Sequence, residues 1–354
     1  MDRIVKPTPQ EIRLARSQNP KLRERDLALQ LGISEAELVA AHCGDGVRRI
    51  EPRVRDLLGE LPALGEVMTL TRNDSAVHET KGTFGEVRAS PHAAAVFGDN
   101  IDLRVFYEHW VHGFAVEKRD GDSIRRSLQF FDAAGEAVHK IHLRPASDLA
   151  AYEALVESHL SADQSPVLRT ESIPPEAAGM ETLETFSRRD ELRARWGGMT
   201  DVHQFYGMLK TLNVPRHVAV RSVGEDYAWP IDREAVNALL PLVASEQVPI
   251  MCFVGSRGCT QIYTGPVREI KAMGPWLNVL DETFHLHLRT DHIAEVWALR
   301  RPIKEGHLTT VDAYDAQGRL IIQFFGERHE GENERLDWRE LAESLPRLPR
   351  PVAA

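Results

Sequence analysis

Cysteine is scarce: Cys43, Cys252 and Cys259 are the only three in 354 residues, and no two form a CxxC pair. That excludes a disulfide framework and a cysteine zinc site, and predicts reduced thiols. Long apolar runs are missing as well. None approaches the roughly 18 residues a membrane helix needs, so no membrane insertion is expected. The opening, MDRIVKPTPQEIR, has no apolar signal core, which predicts a cytoplasmic protein. Positive charge is not in excess: the net charge is −10, which argues against a general nucleic-acid binder. GSRGCT has two glycines but lacks the Gly-Lys-Ser/Thr of a phosphate loop. No Ser/His/Asp or Cys/His constellation has a recognisable spacing. The remainder is globular in composition, 42% hydrophobic and 27% charged, in a chain long enough for two domains.

Two domains of one kind are expected, because the sequence repeats itself. Residues 67–142 lie on residues 250–325 at a constant offset of 183 without a gap. Gly82 falls on Gly265, Leu103 on Leu286, Phe114 on Trp297, and Phe131-Asp132 with Gly135 on Tyr314-Asp315 with Gly318. The helical pattern that opens at Leu149 recurs near Leu336. Within each copy short helices come first. Ser34 is placed to cap a helix over Glu35 to Ala41, and His203's helix has its own counterpart near Leu22 to Arg25. Strand patterns follow in EVMTLTRN, AVHETKGTFGEVRA, IDLRVFYEHWVHGFAVEK and RSLQFFDAAGEAVHKIHL, with Asp-Ala-Ala-Gly as a hairpin turn. SDLAAYEALVESHL then closes the copy as a helix capped by Ser147. Short turns between strands mean antiparallel pairing. The expected fold is α+β: a tandem duplication of two similar halves, each a large antiparallel β-sheet with flanking helices. The division is residues 1–160 as the N-terminal half, 161–185 as a polar, proline-bearing linker, and 186–354 as the C-terminal half.

One of fifteen histidines stands apart. In MTDVHQF, Thr200 is a favourable N-cap, which puts Asp201 at the first and His203 at the third helical position. Val202, Phe205, Leu209 and Leu212 share the buried face, while His203, Gly207 and Lys210 lie beside it. A mid-helix glycine costs about 1 kcal/mol against alanine, which is tolerable if a flat object lies close there. A helix N-terminus disfavours positive charge, which favours the neutral imidazole that binds metal. A lone histidine does not make a zinc site, but suffices for a haem iron already held by four porphyrin nitrogens. Two readings stand on the residues alone: a haem ligand, or a surface or capping histidine.

The stretches WGGMTDVHQFYGMLKTLNVPRHVAVR, FVGSRGCTQIYTGPV, WLNVLDETFHLHLR, EVWALRRP and QFFGERHEG together resemble the bacterial haem-utilisation proteins of the HemS/ChuS/PhuS type, hemin transport or hemin-degrading factors. The likeness covers both halves. It implies a fold of two similar halves and one haem b per chain, bound in the cytoplasm. By this resemblance His203 matches the axial ligand of the haem iron, and Arg104 matches an arginine on the other side of the iron. Arg104 shares a strand face with Asp102 and Phe106. Arg104 would be catalytic only in an enzyme. Arg216, Arg301 and Arg328 match basic positions that hold propionates or line the distal side, and Gln323 joins the cofactor-binding set. Arg301 stands where a lysine is common, and Phe325 where some members have a tyrosine. Phe253 and Met251 alternate on one strand face, where they either pack on the porphyrin or belong to the core. The first half has no counterpart of His203, so one site is expected, not two.

Two other features point elsewhere. His109 and His112 would face opposite ways on one strand and cannot share a metal. His285 and His287 share a face, but His287 occupies the repeat position of Arg104, which favours structural use. The resemblance implies a haem-binding protein of iron acquisition that passes haem to downstream degradation, with a haem oxygenase or a haem importer as partner. An alternative is a haem-degrading enzyme that opens the porphyrin. A haem-responsive regulatory protein is a third reading, against which the acidic charge and the lack of a DNA-binding motif weigh.

Overall fold

The computed structural model describes residues 6–174, 177–304, 306–328 and 332–349, apart from the side chain of Asp120. Residues 1–5 of the opening stretch and the His329-Glu330-Gly331 tail of QFFGERHEG lie outside the described residues. The chain forms two compact units. The first comprises Met1–Arg72, Glu79–Ile173 and Gly255–Gln261; the second comprises Asn73–His78, Pro174–Val254 and Ile262–Ala354.

The first unit begins with three helices, α1 (Pro9–Gln18), α2 (Glu24–Leu31) and α3 (Glu35–Ala40). Thr8 and Ser34 cap α1 and α3 with full capping boxes, closed by Glu11 and Glu37. Strand β1 (Val47–Ile50) and helix α4 (Val54–Glu60) follow. Then come β2 (Val67–Arg72), β3 (Ala76–Ala89), β4 (Ala93–Asp99), β5 (Asp102–Phe106), β6 (His112–Asp120), β7 (Ser123–Phe131) and β8 (Ala137–Leu143), and helix α5 (Leu149–Ser158). Antiparallel pairing sets five strands in the order β1-β6-β7-β8-β2 and three more as β3-β4-β5. The β7–β8 hairpin turns at Asp132 to Gly135, and Gly135 takes the left-handed φ of 80° that the turn requires.

The second unit runs through the same series: α6 (Arg189–Gly197), α7 (Gln204–Thr211), α8 (Arg216–Ser222), β9 (Ala228–Ile231), α9 (Ala235–Ser245), β10 (Ile250–Gly255), β11 (Cys259–Gly265), β12 (Ile270–Met273), β13 (Trp276–Leu280), β14 (Phe284–Arg289), β15 (Glu295–Ile303), β16 (Gly306–Tyr314), β17 (Leu320–Gly326) and α10 (Leu336–Ser344). Its strands pair as β9-β15-β16-β17-β10 and β12-β13-β14, all antiparallel. Strands β10, β15, β16 and β17 begin and end 183 residues after β2, β6, β7 and β8. The fold is therefore α+β and duplicated, as expected. The duplication extends to the stretches that each unit takes from the other half of the sequence. Residues 73–78 belong to the second unit and residues 255–261 to the first. In the second unit Arg289 N–H donates to Ser75 O at 2.8 Å; in the first, Phe106 N–H donates to Gly258 O at 3.0 Å, the same bond shifted by 183.

Burial follows the strand period. Val67–Arg72 and Ile250–Gly255 each alternate buried and half-buried positions, which fixes the face toward the core. The first core packs Leu57, Leu61, Leu103, Phe130 and Tyr152; the second packs Val236, Leu239, Phe284, Phe324 and Trp338. A further cluster of Trp196, Phe205, Leu209, Leu212 and Trp297 seats α6 and α7 on β15. Burying a side chain such as Phe205 contributes about 2–3 kcal/mol.

Three local expectations need correction. Ser147 does not cap α5: Asp148 does, accepting from Ala151 N, while Ser147 Oγ donates to Glu66 O. IDLRVFYEHWVHGFAVEK is not one strand. Tyr107–His109 forms a 3₁₀ turn between β5 and β6, so His109 and His112 lie on different elements. The turn buries Trp110, whose indole N–H donates to Gly258 O at 2.9 Å. His203's helix also starts later than expected, as described below. The three cysteines are free and buried. Burial raises the Cys259 thiol to about 12. Among the described residues, no helix is long and apolar enough to cross a membrane.

Candidate functional site

One face of the β9-β15-β16-β17-β10 strands carries a polar row inside an apolar sheet. Register sets Trp297, Asp312, Gln323 and Phe253 side by side on β15, β16, β17 and β10. The next row on that face is Leu299, Thr310, Phe325 and Met251. Arg301 is two residues beyond Leu299 on β15. Asp312 is fully buried at the centre. It accepts from Gln323 Nε2 at 2.8 Å, Thr310 Oγ1 at 3.0 Å, Arg301 Nη2 at 3.1 Å and Tyr314 Oη at 3.2 Å. Arg216, the first residue of α8, brings Nη1 to 3.7 Å from the same carboxylate.

Two guanidiniums thus share one carboxylate. Arg301 is only 4% exposed, and its Nε has no hydrogen-bond partner. Burial and then the neighbouring Arg216 push its guanidinium below the ordinary value, while Asp312 opposes the shift. It nonetheless stays charged at neutral pH, because an arginine guanidinium does not give up its proton in proteins. Aromatic rings complete the cluster. The Arg301 guanidinium lies 4.7 Å from the Phe205 ring centre and 5.3 Å from that of Phe325; Arg216 lies 5.2 Å from Phe205 and 5.1 Å from Tyr206. Phe325 and Phe253 meet with ring centres 4.8 Å apart. Met251 and Phe253 are both half-buried, on the exposed alternation of β10 rather than in the core. The arrangement offers two guanidiniums, a spare N–H on Arg301 and ring faces, which suits a flat, apolar, anionic molecule.

Helix α7, which follows the histidine, lays Phe205 and Tyr206 against this cluster. The helix begins at Gln204, not at Asp201, and His203 is its N-cap residue. The expectation failed because Asp201 outcompetes Thr200 for the free N–H groups of the turn. Its Oδ1 accepts from His203 N at 2.7 Å and lies 2.6 Å from His203 Nδ1. The backbone N–H of His203 first, then its ring and Arg328, hold the Asp201 carboxyl below the usual carboxylate range. A carboxylate only accepts, so Nδ1 carries the ring proton in this pair. The imidazole is 83% exposed. Phe205, Met208, Leu209 and Leu212 are buried beneath the helix; His203, Gly207 and Lys210 are exposed. A Cβ on Gly207 would meet no atom within 4 Å. A shallow groove of about 400 Å³ runs along the adjoining face, past Met199, Gln204, Gly207 and Met208.

The structure therefore brings together Arg216, Arg301, Gln323, Phe253 and Phe325, and places Phe205 and Tyr206, close after His203 in sequence, against the two arginines. Arg328 is half-buried, donates to Glu332 O at 3.1 Å and is near enough to act on Asp201. Arg104 belongs to the first unit, where it pairs with Asp102 and lies 5.0 Å over the Phe97 ring. His287 Nδ1 lies 2.7 Å from Asn278 Oδ1. Sequence reasoning missed Asp312, Thr310, Tyr314, Phe205 and Tyr206 as site residues. The signal for the first three was TTVDAYD, where polar groups recur every second residue through an apolar strand.

With this geometry in view, similarity to known proteins becomes informative. The family described as "Haemin-degrading HemS.ChuX domain" matches residues 32–159 and 213–345, one segment in each half. His203 falls between the two segments. The chain is 38% identical over 327 residues to the "Hemin transport protein HemS" of Yersinia enterocolitica, covering 92% of this chain and 93% of that protein. Among solved structures, holo-PhuS, described as a heme-binding protein from Pseudomonas aeruginosa, superposes with a TM-score of 0.92 at 40% identity, over 97% of this chain and 100% of that one. ChuS, described as an E. coli heme oxygenase, gives 0.83 at 33% identity, over 94% and 99%.

Proposed function

Since the chain belongs to the haemin-degrading HemS/ChuX family, we propose that it binds one haem b per chain through His203 and hands it on to downstream degradation in bacterial iron acquisition. The observation that carries this reading is the pair of arginines, Arg216 and Arg301, that both reach the carboxylate of Asp312 and lie against Phe205 and Tyr206 of the helix that presents His203. Haem is a flat apolar ring with two carboxylates. The rings of Phe253, Phe325 and Tyr206 supply dispersion contact, and the guanidiniums supply charge-assisted hydrogen bonds to a propionate. His203 Nε2 supplies the axial bond. Haem is cargo here, so a partner must compete for that bond; a haem oxygenase is the acceptor this reading calls for, and a haem importer the donor. The work is placed in the cytoplasm. Arg104 enters the reading from the family resemblance alone.

Hemin titration followed by absorption spectroscopy tests it. His203→Ala removes the imidazole-ligated spectrum, whereas Arg301→Ala keeps that spectrum. Loss of one charge-assisted bond of about 2 kcal/mol weakens hemin binding in Arg301→Ala about 30-fold. An unchanged spectrum in His203→Ala ends the assignment.

The second reading, a haem-degrading enzyme, has the E. coli relative in its favour. Single turnover with a reductase separates the two. A linear tetrapyrrole and free iron that form in the presence of catalase establish the enzyme. Products that vanish with catalase come from free peroxide and leave the carrier.

A further inference from the structure

We infer that Asp201 is a positioning residue that holds the His203 ring in one tautomer and sets the strength with which Nε2 donates to iron. The inference rests on the haem reading above and adds a residue to it.

The geometry makes the case. A single oxygen, Asp201 Oδ1, is 2.7 Å from the His203 backbone nitrogen and 2.6 Å from Nδ1 of the same residue. Main chain and ring are thereby tied to one point, which leaves the imidazole little rotation even though most of its surface faces solvent. The turn itself is stapled a second time: Gln204 Oε1 accepts from Thr200 N at 2.8 Å and Asp201 N at 3.4 Å. Asp201 is therefore held by its own backbone and does not swing freely to the ring.

The chemistry follows from proton placement. A neutral imidazole has one N–H and one lone pair. With Nδ1–H committed to a carboxylate, the lone pair is on Nε2 at the outward end of the ring. A carboxylate behind a metal-bound imidazole also raises its basicity, and loss of such a partner typically costs 10–100-fold in metal affinity. The first half supports the pairing by contrast. Counting 180 residues back from α7 to α2, His203 falls on Arg23, the N-cap of α2, and Asp201 on Lys21. Neither member of the pair is present there.

Asp201→Asn is the decisive variant, because its amide oxygen still accepts from the backbone and the ring but carries no charge; Asp201→Ala removes both contacts. Three measurements read the result. Nitrogen-15 shifts of the His203 ring in the haem-free protein are expected to show a proton on Nδ1 in the wild type, and a mixture of tautomers in Asp201→Ala. Resonance Raman of the ferrous hemin complex is expected to show a weaker iron–histidine stretch in Asp201→Asn. Hemin release to excess apomyoglobin is expected to quicken about tenfold in the same variant. A wild-type ring protonated on Nε2 overturns the inference, as does a stretch and a release rate unchanged in Asp201→Asn while His203→Ala still abolishes the axial spectrum. If His203→Ala leaves that spectrum unchanged, the haem assignment fails first and takes the donor role of Asp201 with it; the haem-free tautomer measurement still decides the hydrogen bond.

Discussion

Glu35 and Arg216 open equivalent helices, α3 and α8, in the two halves, yet they do opposite things with charge. Glu35 is buried in the first unit and pairs with Lys140, at 2.6 Å, and with Arg72. Glu24, the first residue of α2, pairs with Lys118 at 2.5 Å. Two carboxylates there face three cations. In the second unit, Arg301 stands at the position of Lys118, Gln323 at that of Lys140, Asp312 at that of Gln129, and Arg216 at that of Glu35. Among the described residues, Asp312 there meets the guanidiniums of Arg301, at 3.1 Å, and Arg216, at 3.7 Å. The aromatic positions differ in the same sense. Phe325 replaces His142 and Phe253 replaces Leu70, while Phe205 and Tyr206 stand where α2 has Arg25 and Asp26. The same backbone therefore encloses a tightly paired ion cluster in one half, and in the other a looser, ring-lined cluster whose Arg301 Nε has no hydrogen-bond partner. Duplication supplied two scaffolds; the closeness of ion pairing and the rings distinguish the one suited to a ligand.

The largest effect that tests this contrast is on stability. Removing one partner of a buried ion cluster leaves the rest uncompensated, at about 3–5 kcal/mol. Glu35→Ala is expected to destabilise the first unit by that amount in urea unfolding. Hemin affinity in the folded protein should stay within twofold of the wild type, because Glu35 belongs to the half without the ligand cluster. A large loss of affinity without loss of stability would break the comparison.

A smaller effect separates the halves by pH. His139 is fully buried in the first unit, with Nδ1 2.8 Å from Thr71 Oγ1, and burial pushes it down to about 3 from an ordinary 6.5. The unfolded chain takes up a proton at 6.5 that the folded one refuses. Stability is therefore complete above pH 6.5 and falls by up to about 1.4 kcal/mol per pH unit as pH drops from 6.5 toward 3. Glu35 adds to the loss at the acid end. Burial opposes its charge, but Lys140 and Arg72 prevail and bring it to about 2, so its contribution fades from 4.5 downward. The second half has Ile322 at the position of His139. His139→Ile should roughly halve the slope between pH 6.5 and 4.5, the remainder belonging to His142, which burial pushes down to about 4. Hydrogen exchange on β7 and β8, compared with β16 and β17, reads the two halves separately; equal acid sensitivity in both would remove the contrast.

How much of this could be read in advance depended on how local the signal was. The strands are legible because the repeat is gapless: β2, β6, β7 and β8 find their partners at one offset, and Gly135 and Gly318 mark the same turn. Ser34 is legible because a capping box needs only four consecutive residues. The start of α7 misleads because Asp201 accepts from the His203 N–H in a turn that precedes the helix, so the helix begins only at Gln204, with His203 as its N-cap. Asp312 is hidden for another reason. Its partners come from β15, β17 and α8, and a one-dimensional pattern does not state cross-strand register. His203, Arg216, Arg301, Phe253 and Phe325 are reached from the sequence, the last four through the family resemblance, whereas Asp312, Phe205 and Tyr206, which the two arginines contact, become visible only in three dimensions.

The smallest expected effect tests whether a histidine alone makes a site. Arg23→His puts an imidazole at the N-cap of α2, in the position of His203. The turn before it has Lys21 where Asp201 would orient the ring, and α2 continues with Glu24, Arg25 and Asp26 in place of Gln204, Phe205 and Tyr206. Carboxylates repel propionates, and the cations nearby are already paired with Glu24 and Glu35. Hemin titration of Arg23→His should therefore still saturate at one equivalent per chain, with the axial spectrum of the wild type. A second equivalent, bound through the introduced imidazole with comparable affinity, would mean that the imidazole suffices, and that the charge and ring differences between the halves are incidental to binding.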